Sequence, residues 1–288
     1  MDIGEFVISH EVAIRLGFFS GILGVMALWE LVAPRRVLTV PKLLRWVNNI
    51  GIVVINSVLL RIIFPSAAVG VAIFAQKHGW GLFNYAQVSD KIAIIISVVA
   101  LDFIIYLQHV MFHAVPVFWQ IHRMHHADLD FDVTTGIRFH PIEILLSMLI
   151  KSAGVVVLGP PVLGVIIFEV ALNATSMFNH SNVRMLRGVD RISQWFVVTP
   201  DMHRVHHSTE ERETNSNFGF NLPWWDRLLG TYWAQPRMGH EGMAIGLEEF
   251  RDKKCCVMLP GMLSIPFIGR ITGYTINHRK WKSPDESR

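Results

Sequence analysis

The chain has 288 residues, 51% hydrophobic and only 17% charged, with a formal net charge of +3. A soluble globular domain carries about 25% charged residues, so the composition weighs against an ordinary soluble protein, and so weak a basicity gives no case for a nucleic-acid partner. Histidine is the outlier: there are 14 His against 4 Tyr.

At the N-terminus, MDIGEFVISHE carries acids and lacks a basic segment with a cleavage site, so no cleavable signal peptide is expected. Residues 12–33 are apolar and long enough to cross about 30 Å of hydrocarbon. A basic stretch follows, with Arg35, Arg36, Lys42 and Arg45. Residues 47–64 read as a second span, ended near Arg61 and Pro65 and followed by a short interfacial or re-entrant piece. Residues 92–113 form a third. The apolar stretch 142–179 is broken by Gly159-Pro160-Pro161 and reads as a helical hairpin. Strand-like alternation is not sustained anywhere, which disfavours a β-barrel. The expected fold is all-α: a polytopic membrane protein with about four transmembrane helices, one further doubtful segment, and a helical, histidine-rich cap holding a dinuclear metal site.

Three regions follow: an N-terminal transmembrane region over 1–94, a metal-binding region over 95–235 and a cytoplasmic or interfacial tail over 236–288. Basic residues on short loops mark the cytoplasmic side. The 34–45 loop is therefore expected inside, with the histidines from His109 to His207 on that same face. The membrane would be a bacterial inner membrane or the endoplasmic reticulum. Cys255 and Cys256 are sequence neighbours, poorly placed for a disulfide, and read as ordinary apolar side chains, acylation being the alternative.

Ten of the histidines fall between residues 109 and 207, in groups. H-V-M-F-H supplies His109 and His113, H-R-M-H-H supplies His122, His125 and His126, and H-R-V-H-H supplies His203, His206 and His207. Residues three and four apart share a helix face, so each group is expected to point one way. Eight clustered imidazoles exceed the needs of one ion and suit two. Imidazole accepts zinc, copper, iron and nickel, which leaves the metal open at this point. Asp102 and Tyr106 continue the face of His109 towards the membrane. An acid within an apolar span usually has a partner or a function, and Asp102 is read as hydrogen-bonding a ligating imidazole from behind, with Tyr106 beside it.

The patterns D-x-x-x-Y-x-x-H-x-x-x-H and W-x-x-H-x-x-H-H (Asp102 to His126), with H-x-x-H-H-S, T-N-S-N-F-G and W-D-R-L-L-G-T-Y (His203 to Tyr232), resemble the fatty acid hydroxylase/sterol desaturase superfamily. The likeness covers nearly half the chain. The nine-residue step from His113 to His122 favours the hydroxylase/sterol branch over acyl-chain desaturases. The segment R-F-H-P-I-E (Arg138 to Glu143) looks like bacterial members of that branch and their alkylglycerol monooxygenase relatives.

This resemblance implies a non-haem pair of Fe2+ ions, O2 as co-substrate and oxidation of a membrane lipid, by hydroxylation or desaturation. The implied ligands are His109, His113, His122, His125, His126, His203, His206 and His207, with His180 as an additional family histidine. His140, at an expected helix start before Pro141, reads as substrate-side or structural. Glu143 and Asp201 are candidates to hold a ligand from behind, or else plain capping or solvated acids. Asn217 and Asp226 belong to the pattern without an assigned role, and Trp224 and Trp225 read as interfacial anchors. His10, His78, His240 and His278 are isolated and expected at the surface or interface. The sequence has no nucleotide-binding glycine motif, so electrons are expected from a separate donor, such as a ferredoxin or cytochrome b5 with its reductase. Arg184, Arg187, Arg191 and Arg204 would face either that donor or anionic lipid. The oligomeric state is not readable. The competing class is a histidine-lined membrane metal transporter or metal-binding protein.

Overall fold

The computed structural model describes residues 3–269 and Ile276, so His278 lies outside the described residues. Among them the regular elements are all helical, and β-pairing is limited to isolated bridges. Five helical stretches are long and apolar enough to cross a membrane: Glu11–Val32, Lys42–Tyr85, Asp90–Ala114, Pro141–Leu158 and Val162–Asn179. The expected class holds; the count is five where about four were expected, because each arm of the hairpin is a full 18-residue helix.

The ends of these helices follow from local chemistry. We label Glu11–Val32 α1, Lys42–Ile63 α2 and Ala67–Lys77 α3; Pro65 separates the last two, where the sequence pointed to a break. Next come α4 (Asp90–Ala114) and α5 (Pro116–His126), divided by the extended Val115. Proline at the first helical position needs no N–H partner, so Pro116 turns the chain and starts α5 at once. Pro141 starts α6 (Pro141–Leu158) in the same way, behind a cap in which His140 Nδ1 accepts from Ile142 N at 3.2 Å. Gly159 ends α6 with φ +62°, and a Cβ there would stand 2.3 Å from Trp80 O. Only glycine fits that turn, and Pro161 then leads into α7 (Val162–Asn179). Two short helices matter below: α8 (Pro200–His206), capped by Thr199 Oγ1, and α9 (Trp224–Leu228).

Contacts run between α4 and both α6 and α7, between α1 and α7, and between α3 and both α6 and α7. Leu101, Ile105, Val155, Val165 and Phe168 are buried at their centre. Many other side chains on these helices are exposed, among them Leu28, Ile62, Ile95 and Val157. Such an apolar exterior suits lipid rather than water.

The N-terminal region is clasped to the cap. Glu30, buried near the end of α1, accepts from Val133 N at 2.7 Å and Asn182 N at 2.8 Å, and pairs with Lys42 at 2.8 Å. Arg45 of α2 is wholly buried, bidentate on Asp128 at 3.0 and 2.7 Å and also paired with Asp132. Asp130 accepts from Thr39 N and Val40 N. The three alternating acids after α5 are thus consumed by structure. Arginine 138 spans the same region, donating to Met124 O, Asn49 Oδ1 and Cys256 O. Cys255 and Cys256 are free thiols, the second buried in a core with Trp119 and Met124.

Candidate metal centre

Nine imidazoles meet where α4, α5, α8 and the end of α7 converge, and all nine are buried. Two groups form. One ligand atom each from His109, His113, His122, His126 and His206 lies within 4.8 Å of the others; His125, His180, His203 and His207 make a second such group. Nε2 of His109 stands 3.1 Å from that of His122 and 3.0 Å from that of His206, while His113 and His126 are separated by 3.2 Å. In the second group, Nε2 of His180 lies 3.2 Å from that of His125 and 3.1 Å from that of His203.

The split within each H-x-x-H-H box differs from a single shared face. His122 and His126, four apart, join the first group, and His125 joins the second. In the other box the four-apart pair His203 and His207 enters the second group and His206 the first. One helical box therefore feeds both groups, its i,i+4 pair on one and its middle histidine on the other.

Six rings are steered from behind. The Nδ1 atoms of His109, His125, His180 and His206 face the backbone oxygens of Phe218, Arg138, Ser176 and Ser216 at 2.8, 3.1, 2.7 and 2.7 Å. His113 Nδ1 faces Asn215 Oδ1 at 3.2 Å, and His122 Nδ1 faces Glu143 Oε1 at 2.7 Å. An oxygen acceptor at Nδ1 places the proton there and leaves the lone pair on Nε2. Burial, then the neighbouring imidazoles, holds His125, His126, His203 and His207 well below the ordinary histidine pKa. Burial pushes His180 down to about 3. These rings are neutral, as metal ligands must be. Both nitrogens of His207 are enclosed without a hydrogen-bond partner, as is Nδ1 of His126 and His203. Unpaired buried polar atoms are costly; the unpartnered His207 ring and the Nε2 atoms crowded together in two converging sets fit a pair of cations.

The segment 214–219 explains motifs whose roles the sequence left open. It supplies Asn215 Oδ1, Ser216 O and Phe218 O to three of the rings. Asn217 holds it in place with φ +51°, donating to Met202 O and Trp233 O and accepting from Trp233 N. Asp226 in α9 accepts from Phe218 N, Gly219 N and Thr231 Oγ1. Burial, against those donors, pushes its carboxyl up to about 6.

Several sequence-derived residues land elsewhere than expected. Asp102 accepts from Asn221 N, Leu222 N and Trp225 Nε1, and Tyr106 bonds Thr231 Oγ1 at 2.8 Å. Both therefore reach the histidines through the 214–231 segment instead of touching an imidazole. Glu143 does touch one. Asp201 pairs with Arg35 and Arg204 near the surface. His140 uses both nitrogens on backbone, Ile142 N and Leu263 O. Of the isolated histidines, His10 and His78 are exposed, but His240 is buried 3.7 Å from Asp201. Arg204 is buried against Asp201 and Phe131, so it cannot face a partner; Arg184, Arg187 and Arg191 are exposed. Trp225 is anchored on Asp102, whereas Trp224 is 41% exposed.

A cavity of about 550 Å³ opens beside the first group. His109, His122, Phe112, Phe139 and Phe220 line its metal-side wall. Lys151 and Glu169, an ion pair joined by Arg15 at 3.0 Å, also line it. Lys151 lies eight residues beyond Glu143 on α6, about 12 Å further along the helix. Gly136 packs on the floor, where a Cβ would stand 2.3 Å from Ser176 O.

Residues 94–231, which hold all nine rings, match the family model for fatty acid hydroxylase. The match covers just under half of the chain. An ornithine lipid hydroxylase, OlsE, of Rhizobium tropici is 34% identical over 60% of this chain and 51% of its own length. Alkylglycerol monooxygenases of Xenopus tropicalis and Homo sapiens are 28% and 25% identical over 48% and 53% of this chain, and 30% and 33% of their own lengths. The chain thus spans about half of the first relative and about a third of the other two. No solved structure matches it. Helices α1 and α2 lie outside the matched segment, yet Arg45, Asn49 and Glu30 brace it; no motif marked them.

Proposed function

We propose that this protein is an O2-dependent di-iron oxygenase that hydroxylates, or desaturates, a C–H bond of a membrane lipid. The observation that carries the reading is the sorting of nine buried imidazoles into one set of five and one of four. The relatives, a lipid hydroxylase and alkylglycerol monooxygenases, agree with it.

His109, His113, His122, His126 and His206 would hold one iron, and His125, His180, His203 and His207 the other. An unactivated C–H bond resists side-chain acid–base chemistry, and the iron pair, when bound, supplies the oxidising power. The chain does the rest. Glu143 keeps His122 protonated at Nδ1 and fixes its ring. The carbonyls of Phe218, Arg138, Ser176 and Ser216 do the same for four others. Phe112, Phe139 and Phe220 exclude water from the cavity wall, where a lipid chain entering between α1, α2 and α6 would lie. Two electrons per turnover come from a separate donor, such as a ferredoxin or cytochrome b5 with its reductase; Arg184, Arg187 and Arg191 are exposed for it. The basic loop before α2 supports a site on the cytoplasmic side. A transport path is disfavoured, since the imidazoles saturate two compact sets instead of stringing along a span.

The test is metal analysis combined with lipidomics of cells with and without the active gene. About two irons per chain, and an oxidised lipid that vanishes both on deletion and in His125→Ala, support the reading. Zinc alone, or ion flux in liposomes without lipid oxidation, overturns it.

A further inference from the structure

The cavity beside the histidines is more polar than a bare hydrocarbon chain requires. Asn56 of α2, Gln108 of α4 and Glu143 of α6 line it, and each is at least nine-tenths buried. One end of each is engaged: Asn56 Nδ2 donates to Phe139 O at 2.9 Å, Gln108 Nε2 to Ser147 Oγ at 3.1 Å, and Glu143 Oε1 takes His122. The amide oxygens of Asn56 and Gln108 and the second carboxylate oxygen of Glu143 are cut off from solvent and meet no donor. Among the described cavity-lining residues, every enclosed atom left in that state is an acceptor oxygen; the fourth, Glu169 Oε2, faces Arg15. Enclosed acceptors without donors are expensive to keep, and three helices each bring one to the same space.

We propose that Asn56, Gln108 and Glu143 form a recognition site for a hydrogen-bond-donating group, a hydroxyl or an amine, carried by the lipid. The proposal rests on reading this cavity as the place where the lipid meets the metal pair. Carboxylate and phosphate groups would meet bare acceptors and are rejected. Ser147 is one helical turn from Glu143 on α6, a rise of about 6 Å, so the donor group lies within a few bonds of the carbon presented to His109 and His122. The site therefore selects a C–H bond close to a polar substituent over one in mid-chain.

Native mass spectrometry of the iron-loaded full chain in nanodiscs tests this without turnover, with lauryl alcohol, lauryl amine, lauryl methyl ether and laurate as probes. The alcohol and the amine are expected to bind about tenfold more tightly than the ether, the gain of one to two hydrogen bonds, and laurate no better than the ether. Gln108→Leu and Asn56→Leu should each bring the alcohol-to-ether ratio towards one with iron content unchanged. Should either variant misfold, the wild-type ratios alone decide. Equal binding of alcohol and ether, or preferred binding of laurate, overturns the proposal. A working oxygenase without the preference sinks this site alone; the preference in a chain that oxidises nothing sinks the oxygenase reading and leaves the site.

Discussion

The carboxylate of Asp102, inside the α4 span, accepts the indole N–H of Trp225 at 2.8 Å across 123 residues of sequence. With Asn221 N and Leu222 N on the same carboxylate, it ties the cap segment to a membrane helix. Trp225→Phe removes one charged hydrogen bond and should cost about 1.5–3 kcal/mol. Asp102→Ala strands three donors and should cost more. Thermal unfolding of both variants in one detergent measures the order; an Asp102→Ala protein as stable as wild type would refute the tie.

Two sets of imidazoles predict two separable losses. His113→Ala should lower bound iron from about two to about one per chain, and His207→Ala should do the same from the other set. Plasma emission analysis reads the ratio. Loss of both ions from either change would mean that the sets are one coupled site. Glu143→Gln keeps the shape but weakens the hold on His122 Nδ1, and should lower metal affinity about 10- to 100-fold, measured by chelator competition.

Arg45 neutralises Asp128 and Asp132 where none of the three meets solvent. Arg45→Met leaves buried carboxylates uncompensated, at a cost of about 3–5 kcal/mol. Adding Asp128→Asn should recover part of that. The double-mutant cycle is read by denaturant midpoint, and simple additivity would count against the pairing.

Asp226 gives a pH dependence. Its carboxyl, raised to about 6 by burial, holds a proton in the fold that the unfolded chain releases near 4. The stability it contributes is complete below that lower value and is lost as pH rises through 6, on the order of 3 kcal/mol. Unfolding between pH 4 and 7 should show the decline, and Asp226→Asn should flatten it.

Asn217 sits at φ +51° with three side-chain hydrogen bonds. Asn217→Gly keeps the backbone and loses the bonds; Asn217→Ala loses both and should be less stable by roughly a further 1 kcal/mol. Comparing melting temperatures of the two variants separates conformation from bonding.

The histidines were legible because side chains that meet from a helix must recur at three and four residues, and chemistry restricts the residue type. Their sorting was not. Whether His125 sides with His122 or with His180 depends on where α7 ends and α8 begins, which the boxes do not encode. The orienting groups were mostly hidden as well, because four are backbone carbonyls, and any residue can supply one. Asp102 stood out as a charge in a span, but its partner is a tryptophan indole and two amides far along the chain. Arg45 carried no sign beyond its basicity, so a loop-charge reading absorbed it. The hairpin was legible from Gly159-Pro160-Pro161, since few residues tolerate that backbone.

The clasp of Glu30 and Arg45 onto the cap bears on how such a protein can be dissected. A fragment limited to residues 94–231 would contain Asp128 and Asp132 but not their guanidinium, and Val133 and Asn182 would offer amide protons to no acceptor. Such a fragment should precipitate on expression, and co-production of the first two membrane helices as a separate chain should rescue it. Recombination between relatives would then have to carry both pieces from one parent.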